Sequence, residues 1–210
     1  MAEETNYRFT NNWFGVSKPT WSRLLPKFRP EKLLEIGSFE GASACFLIDT
    51  LADSTPLELH CVDTWEGGIE SGYQGTDMGS VEERFLHNTG IAVRRAAHNV
   101  DLRIHKGMSD FVLSGLLASG KRNFFDFVYV DGSHQAPDVI CDAVLGFRLL
   151  RVGGVMVFDD YLWAENLPQG KDPLRCPKMA IDDFTNIYWR KISFIHAPSL
   201  HQIYLQKTHD

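Results

Sequence analysis

No run of apolar residues in the 210-residue chain approaches the ~20 needed to cross a bilayer, so no membrane association is expected. The opening MAEETNYRFTNNWFG also lacks the basic stretch followed by an apolar run that marks a secretory signal. Basic residues are in short supply. Lys and Arg number 21 against 27 Asp and Glu, a formal net charge of -6. Phosphate backbones are held by clustered cations, so this balance argues against a nucleic-acid partner. Cysteine is sparse and scattered: Cys45, Cys61, Cys141 and Cys176 form no C-x-x-C pair, and the first three fall inside apolar runs. They read as buried free thiols in a reducing compartment, which makes the cytoplasm the expected address. Internal repeats and low-complexity segments are missing as well.

The chain is 44% hydrophobic, enough for one well-buried core and short for two ordinary domains. The expected organisation is an N-terminal helical or lid segment over 1–30 and one domain over 31–210. Apolar runs from Leu33 to Ile36, Leu57 to Val62, Phe124 to Val130 and Val155 to Phe158 each end near Gly or Asp and read as buried strands. A weaker strand runs from Leu102 to His105. Helical patterns lie between, from Ala42 to Leu51, Val81 to His98, Ser109 to Leu117 and Pro137 to Leu150. Alternation of strand and helix predicts a parallel sheet. The tail adds a helix around Met179 to Tyr188 and two strands, Lys191 to His196 and Gln202 to Gln206, whose short link permits only antiparallel pairing. The fold class is therefore α/β: a Rossmann-like, doubly wound, mostly parallel seven-stranded sheet with an antiparallel C-terminal strand pair.

The first strand runs into Glu35-Ile36-Gly37-Ser38-Phe39-Glu40-Gly41. Glycines there let the backbone turn sharply and approach a ligand. The spacing G-x-x-x-G differs from the G-x-G-x-x-G that cradles a dinucleotide pyrophosphate, which disfavours NAD. Asp63 ends the second strand, where a carboxylate either accepts the ribose hydroxyls of an adenosine or merely caps a turn. Ser109, in Lys106-Gly107-Met108-Ser109-Asp110, either lines an adenine pocket or is the N-cap of the next helix.

Asp131 ends the fourth strand and Asp159-Asp160 the fifth. With those strands adjacent, three carboxylates converge at one edge, and like charges cannot sit together uncompensated. A divalent cation with oxygen ligands, Mg²⁺ before Ca²⁺ or Mn²⁺, would neutralise them. The alternative is that these aspartates cap turns. Successive strand residues point to opposite faces, so Asp159 and Asp160 reach one ion only if the strand stops there.

Taken together, LLEIGSFEGAS, HCVDTW, HKGMSDFVL and FDFVYVDGSH resemble the class I S-adenosylmethionine-dependent methyltransferases, and most closely the metal-dependent small-molecule O-methyltransferases of macrolide-sugar, aminocoumarin-sugar and catechol type. An antiparallel strand pair closing the sheet is a usual ending for that class. The resemblance implies S-adenosylmethionine and Mg²⁺ or another divalent cation as cofactors. It implies a cofactor-binding set of Glu35, Gly37, Ser38, Gly41, Ser43, Asp63, Thr64, Ser109 and Asp131, with Glu35 and Gly37 beside the methionine part, Asp63 on the ribose and Ser109 by the adenine. Asp131, Asp159 and Asp160 match the metal ligands, and His134 matches the general base, a histidine in the macrolide-sugar enzymes. Catechol-type enzymes carry Asn where Asp160 stands, which tilts the acceptor toward a sugar-like hydroxyl.

The implied function is divalent-metal-assisted O-methylation of a small-molecule hydroxyl, sugar-like or phenolic. Its alternatives are a metal-independent methyltransferase and a catalytically inactive S-adenosylmethionine-binding protein. Acceptor choice is expected to lie in the glycine-rich stretch from Glu66 to Gly75 and the proline loop from Glu165 to Lys178, whose prolines and glycine forbid regular structure. The aromatics Tyr7, Phe9, Trp13, Phe14 and Trp21 are expected to serve core or dimer packing, and a homodimer stays open.

Overall fold

The computed structural model describes residues 6–70 and 75–210. Seven strands form one sheet in the order β3-β2-β1-β4-β5-β7-β6. β1 (Lys32–Ile36), β2 (Leu57–Asp63), β3 (Val100–Lys106), β4 (Phe125–Val130) and β5 (Leu150–Phe158) are mutually parallel. β7 (Ile203–Lys207) runs antiparallel to β5, and β6 (Ile192–Phe194) antiparallel to β7. The central strands are apolar on both faces because both faces are covered. On one side lie α1 (Lys18–Phe28), α2 (Ala42–Leu51) and α3 (Met78–Arg95), packed with Leu33, Leu59, Phe127 and Val157. On the other lie α4 (Ser109–Ala118), α5 (Ala136–Leu149) and α6 (Pro177–Ile187), packed with Leu34, Ile36, Val128 and Met156. The strand order reverses between β1 and β4, and ligands of open α/β sheets bind at the strand ends beside such a point.

Local chemistry accounts for where the elements depart from the sequence reading. α3 begins at Met78, ahead of Val81, because Asp77 caps it through the backbone N–H groups of Gly79 and Ser80. It stops at Arg95, short of His98, where Ala96 turns extended. β5 begins at Leu150 and not Val155: its exposed first half carries Arg151, whose guanidinium pairs with Asp126. The proline loop is not wholly irregular, since Pro173–Arg175 form a 3-10 turn and α6 opens on Pro177. Proline suits a first helical turn, where its missing N–H has no partner to lose. Cys141 is only half-buried, because α5 turns Val139, Asp142, Ala143 and Gly146 to the core and Cys141 falls off that stripe. Cys45, Cys61 and Cys176 are buried, and all four are free thiols.

The N-terminal segment is built into this core. Trp21 is fully buried, meeting Phe14, Phe127 and Tyr129 edge to face at centroid distances of 4.9, 5.2 and 4.8 Å. Its indole N–H donates to Gln202 Oε1 at 2.9 Å, tying α1 to the start of β7. Tyr7 and Phe9 pack against the same core, while Trp13 is mostly exposed with its ring against Phe39. Among the described residues, no helix is long and apolar enough to cross a membrane. Trp21→Ala removes a fully buried ring and one of the two hydrogen bonds that Gln202 Oε1 accepts, so it should cost about 3 to 5 kcal/mol in urea unfolding. A cost near zero would make α1 a detachable lid.

Candidate active site

The glycine turn after β1 is held by buried polar contacts. Gly37 has φ of 86°, and a Cβ there would lie 1.9 Å from the Asp131 carbonyl oxygen, so the β1 and β4 turns touch where only glycine fits. Glu35 is fully buried and accepts from the hydroxyls of Ser38 and Ser43. Burial pushes its pKa up, and those two bonds pull it back down. These three expected cofactor residues thus bond to one another and brace the turn. Gly41, φ 78°, leads into α2 against Phe85 and Thr89. Glu40 is buried too, accepting from the Thr10 N–H and hydroxyl and from Arg84, which straps the N-terminal segment over the turn.

Asp63 is the clamp of this end. One carboxylate oxygen accepts from the N–H groups of Ser38 and Phe39, both at 2.9 Å, and the other from Trp65 N–H at 2.7 Å. The turn-capping alternative is therefore realised. A carboxylate offers about four lone-pair positions, so one remains for a ribose hydroxyl. Thr64 accepts from Glu66 N–H. Ser109 is not the N-cap of α4: Met108 holds that place, with no side-chain cap bond. Ser109 instead favours the charged form of Asp142, a carboxyl that burial pushes up to about 7.

At the neighbouring strand ends, Asp131, Ser133, His134, Asp159 and Asp160 line one cleft. β5 stops at Phe158, and Asp160 takes a left-handed φ of 54°, so it leaves the alternation of the strand. Such a backbone is uncommon outside glycine, though Asp tolerates it better than most residues. Asp159 accepts from Gln202 Nε2 at 2.7 Å, and the Tyr129 hydroxyl bridges it to Asp131, 2.8 Å away on that side. Burial and then the charge of Asp159 push Asp131 up, and burial and then Asp160 do the same to Asp159. One phenolic proton serves two carboxylates, so the cluster is short of positive charge. A divalent cation would supply it, and by this donor chemistry the residues fit one. Among the described residues, the carboxylates that group closely enough with a third ligand are Asp159 and Asp160, with His201. Asp131 lies outside that group, engaged by Tyr129.

His134 is stacked on Trp163, centroids 4.0 Å apart. Its Nε2 lies 3.0 Å from Asp160 Oδ2, and its Nδ1 lies 3.4 Å from Glu70 Oε1, too poorly aligned for a good hydrogen bond. Burial opposes its charging, but Asp160 and Glu70 outweigh burial and raise its pKa to about 9. Of the glycine-rich stretch, Glu70 folds over His134 and Gln135, while Ser71 to Gln74 lie outside the described residues. Trp163 precedes the proline loop, which itself contributes the Arg175–Glu165 ion pair.

Sequence reasoning missed Tyr129, Gln202 and His201. Gln202 and His201 reach the site because the pairing of Phe158 with Ile203 brings the residues before β7 alongside those after β5. Because Asp63 satisfies three backbone N–H groups, Asp63→Ala should lower the stability of the ligand-free protein by about 2 kcal/mol or more. Unfolding without ligand checks this, and an unchanged midpoint would confine Asp63 to ligand contact.

A methyltransferase domain model matches residues 34–161. Tricin synthase 1 of Oryza sativa subsp. japonica is 30% identical over 143 residues, 67% of this chain and 49% of that protein. A probable caffeoyl-CoA O-methyltransferase 3 of Dictyostelium discoideum is 20% identical over 168 residues, 78% of this chain and 58% of its own length. The chain thus matches about half the length of these curated relatives. Among solved structures, an O-methyltransferase from Bacillus cereus in complex with SAH superposes with a TM-score of 0.65 at 15% identity, covering 91% of this chain and 81% of that one. A TDP-rhamnose 3'-O-methyltransferase of calicheamicin biosynthesis gives a TM-score of 0.60 at 13% identity, over 92% and 80%. Identities this low speak for the fold. With its domain model covering all the strand ends from β1 to β5, the chain belongs to the methyltransferase domain family.

Proposed function

We propose that this chain is an S-adenosylmethionine-dependent O-methyltransferase that acts on a hydroxyl of a small molecule with the help of a divalent cation. The observation that carries the reading is the meeting, at one sheet edge, of a glycine turn clamped by Asp63 and a carboxylate cluster faced by His134. Family membership and the O-methyltransferase name of the Dictyostelium discoideum relative support it.

When bound, S-adenosylmethionine supplies the electrophilic methyl group, and the cation lowers the pKa of the acceptor hydroxyl. The chain's own residues provide position. Gly37 and Gly41 let the turn approach the cofactor, and Asp63 keeps its remaining lone pair for the ribose. Asp159 and Asp160, with Asp131 beside them, hold the cation. His134 is oriented by Trp163 and Glu70, and the carboxylates of Asp160 and Glu70 favour its protonated form. Its service as a base depends on Asp160 being engaged by another positive charge. Glu70 and Trp163 cover the imidazole and keep bulk water from it. A sugar-like acceptor is favoured by the carboxylate Asp160, and a phenolic one by the caffeoyl-CoA and tricin names.

Stripped protein should turn over no acceptor in excess chelator and recover with added divalent metal, measured by transfer of labelled methyl across sugars, phenols, carboxylates and amines. Full activity in chelator would leave metal-independent transfer, and cofactor binding without turnover on any acceptor would leave a binding protein. His134→Ala should lower kcat by about 10² to 10⁴-fold, the usual contribution of a positioned base. Its affinity for S-adenosylhomocysteine should hold, and a wild-type kcat would remove His134 from the chemistry.

A further inference from the structure

The hairpin that joins β6 to β7 folds back onto the end of β5. Tyr161 N–H donates to the His201 carbonyl at 3.1 Å, one residue out of the β5–β7 register, and so holds the hairpin against the end of β5. This places the imidazole of His201 beside the carboxylates, with Nε2 3.3 Å from Asp159 Oδ1. One ligand atom from each of Asp159, Asp160 and His201 lies within 4.8 Å of the other two. The neighbour of His201 does different work. Gln202 donates to the other oxygen of Asp159 and accepts from Trp21, so Asp159 Oδ2 is bound from behind while Oδ1 faces His201. Ligating carboxylates are commonly oriented by such outer hydrogen bonds. The His201 side chain is 41% exposed, so it is open to an ion arriving from solvent.

We infer that His201 supplies a nitrogen ligand to the cation held by Asp159 and Asp160, so that the site takes a first-row transition ion such as Mn²⁺ in preference to Mg²⁺. Magnesium seeks an all-oxygen octahedron and keeps its waters, whereas imidazole suits Fe, Ni and Zn best, and Mn²⁺, though it favours oxygen, accepts a nitrogen donor more readily than Mg²⁺. Asp131, tied to Tyr129, then serves as a hydrogen-bonded neighbour of the ligand set. The inference rests on the metal-assisted reading above and names its donor set.

The test uses Mn²⁺ as probe on stripped, full-length protein, with binding followed by electron paramagnetic resonance and imidazole coordination by the electron spin echo modulation of directly bound ¹⁴N. Wild-type protein should bind one Mn²⁺ with a single ¹⁴N coupling, and His134→Ala should keep that coupling. His201→Ala should lose it and weaken Mn²⁺ by more than about tenfold, about 1.4 kcal/mol. His201→Asp, which restores an oxygen donor, should lose the coupling yet keep the ion, and its Mn²⁺ to Mg²⁺ affinity ratio should fall. Unchanged S-adenosylhomocysteine affinity in both variants shows that they are folded. A bound ion without ¹⁴N coupling, or coupling that survives in His201→Ala, overturns the inference and leaves the metal-assisted reading standing. Failure of any divalent ion to bind overturns both.

Discussion

Carboxylates buried next to one another repel, and at the ends of β4 and β5 that repulsion sets the terms for much of what surrounds it. Asp131 and Asp159 are both shifted toward their protonated forms by burial and by neighbouring charge. The fold tolerates them because Tyr129 and Gln202 bring donors to them from inside the sheet. Gln202 is in turn fixed by Trp21, so the helix that opens the fold and the strand that closes the sheet are joined through a side chain aimed at the site. Packing here and chemistry here are the same set of contacts.

The glycine turn is governed by a similar rule at smaller scale. Backbone N–H groups left unpaired in a tight turn cost free energy, and Asp63 meets three of them at once. Glu35, with Ser38 and Ser43, stiffens the same turn from below. A loop held this way is pre-shaped, so little ordering would be left to accomplish when a nucleoside arrives.

Much of this was legible in the residues. Apolar runs ending in Gly or Asp marked the strands, because fully covered parallel strands have no polar face to blur the pattern. The carboxylates at their ends marked the site. The first half of β5 was hidden since Arg151 and Val152 are exposed and Gly153-Gly154 interrupt the apolar run before Val155. His201 and Gln202 were hidden for another reason: their role comes from register across an antiparallel pair, and nothing local specifies which residue of a distant strand will stand opposite Asp160. The turn-capping of Asp63 could not be told from ribose binding in the sequence, because a turn cap and a ribose acceptor ask for the same side chain at the same place.

The insertion of β7 between β5 and β6 has a temporal side. As the chain emerges from the ribosome, β1 to β5 and their helices appear before β7, the strand that covers the β5 edge. Until Gln202 follows, the Trp21 indole and the Asp159 carboxylate lack their shared partner, and β5 remains an open edge able to pair with another chain. A chain cut short before Gln202 would therefore leave the β5 edge bare and Asp159 bonded to Tyr129 without its second side-chain donor.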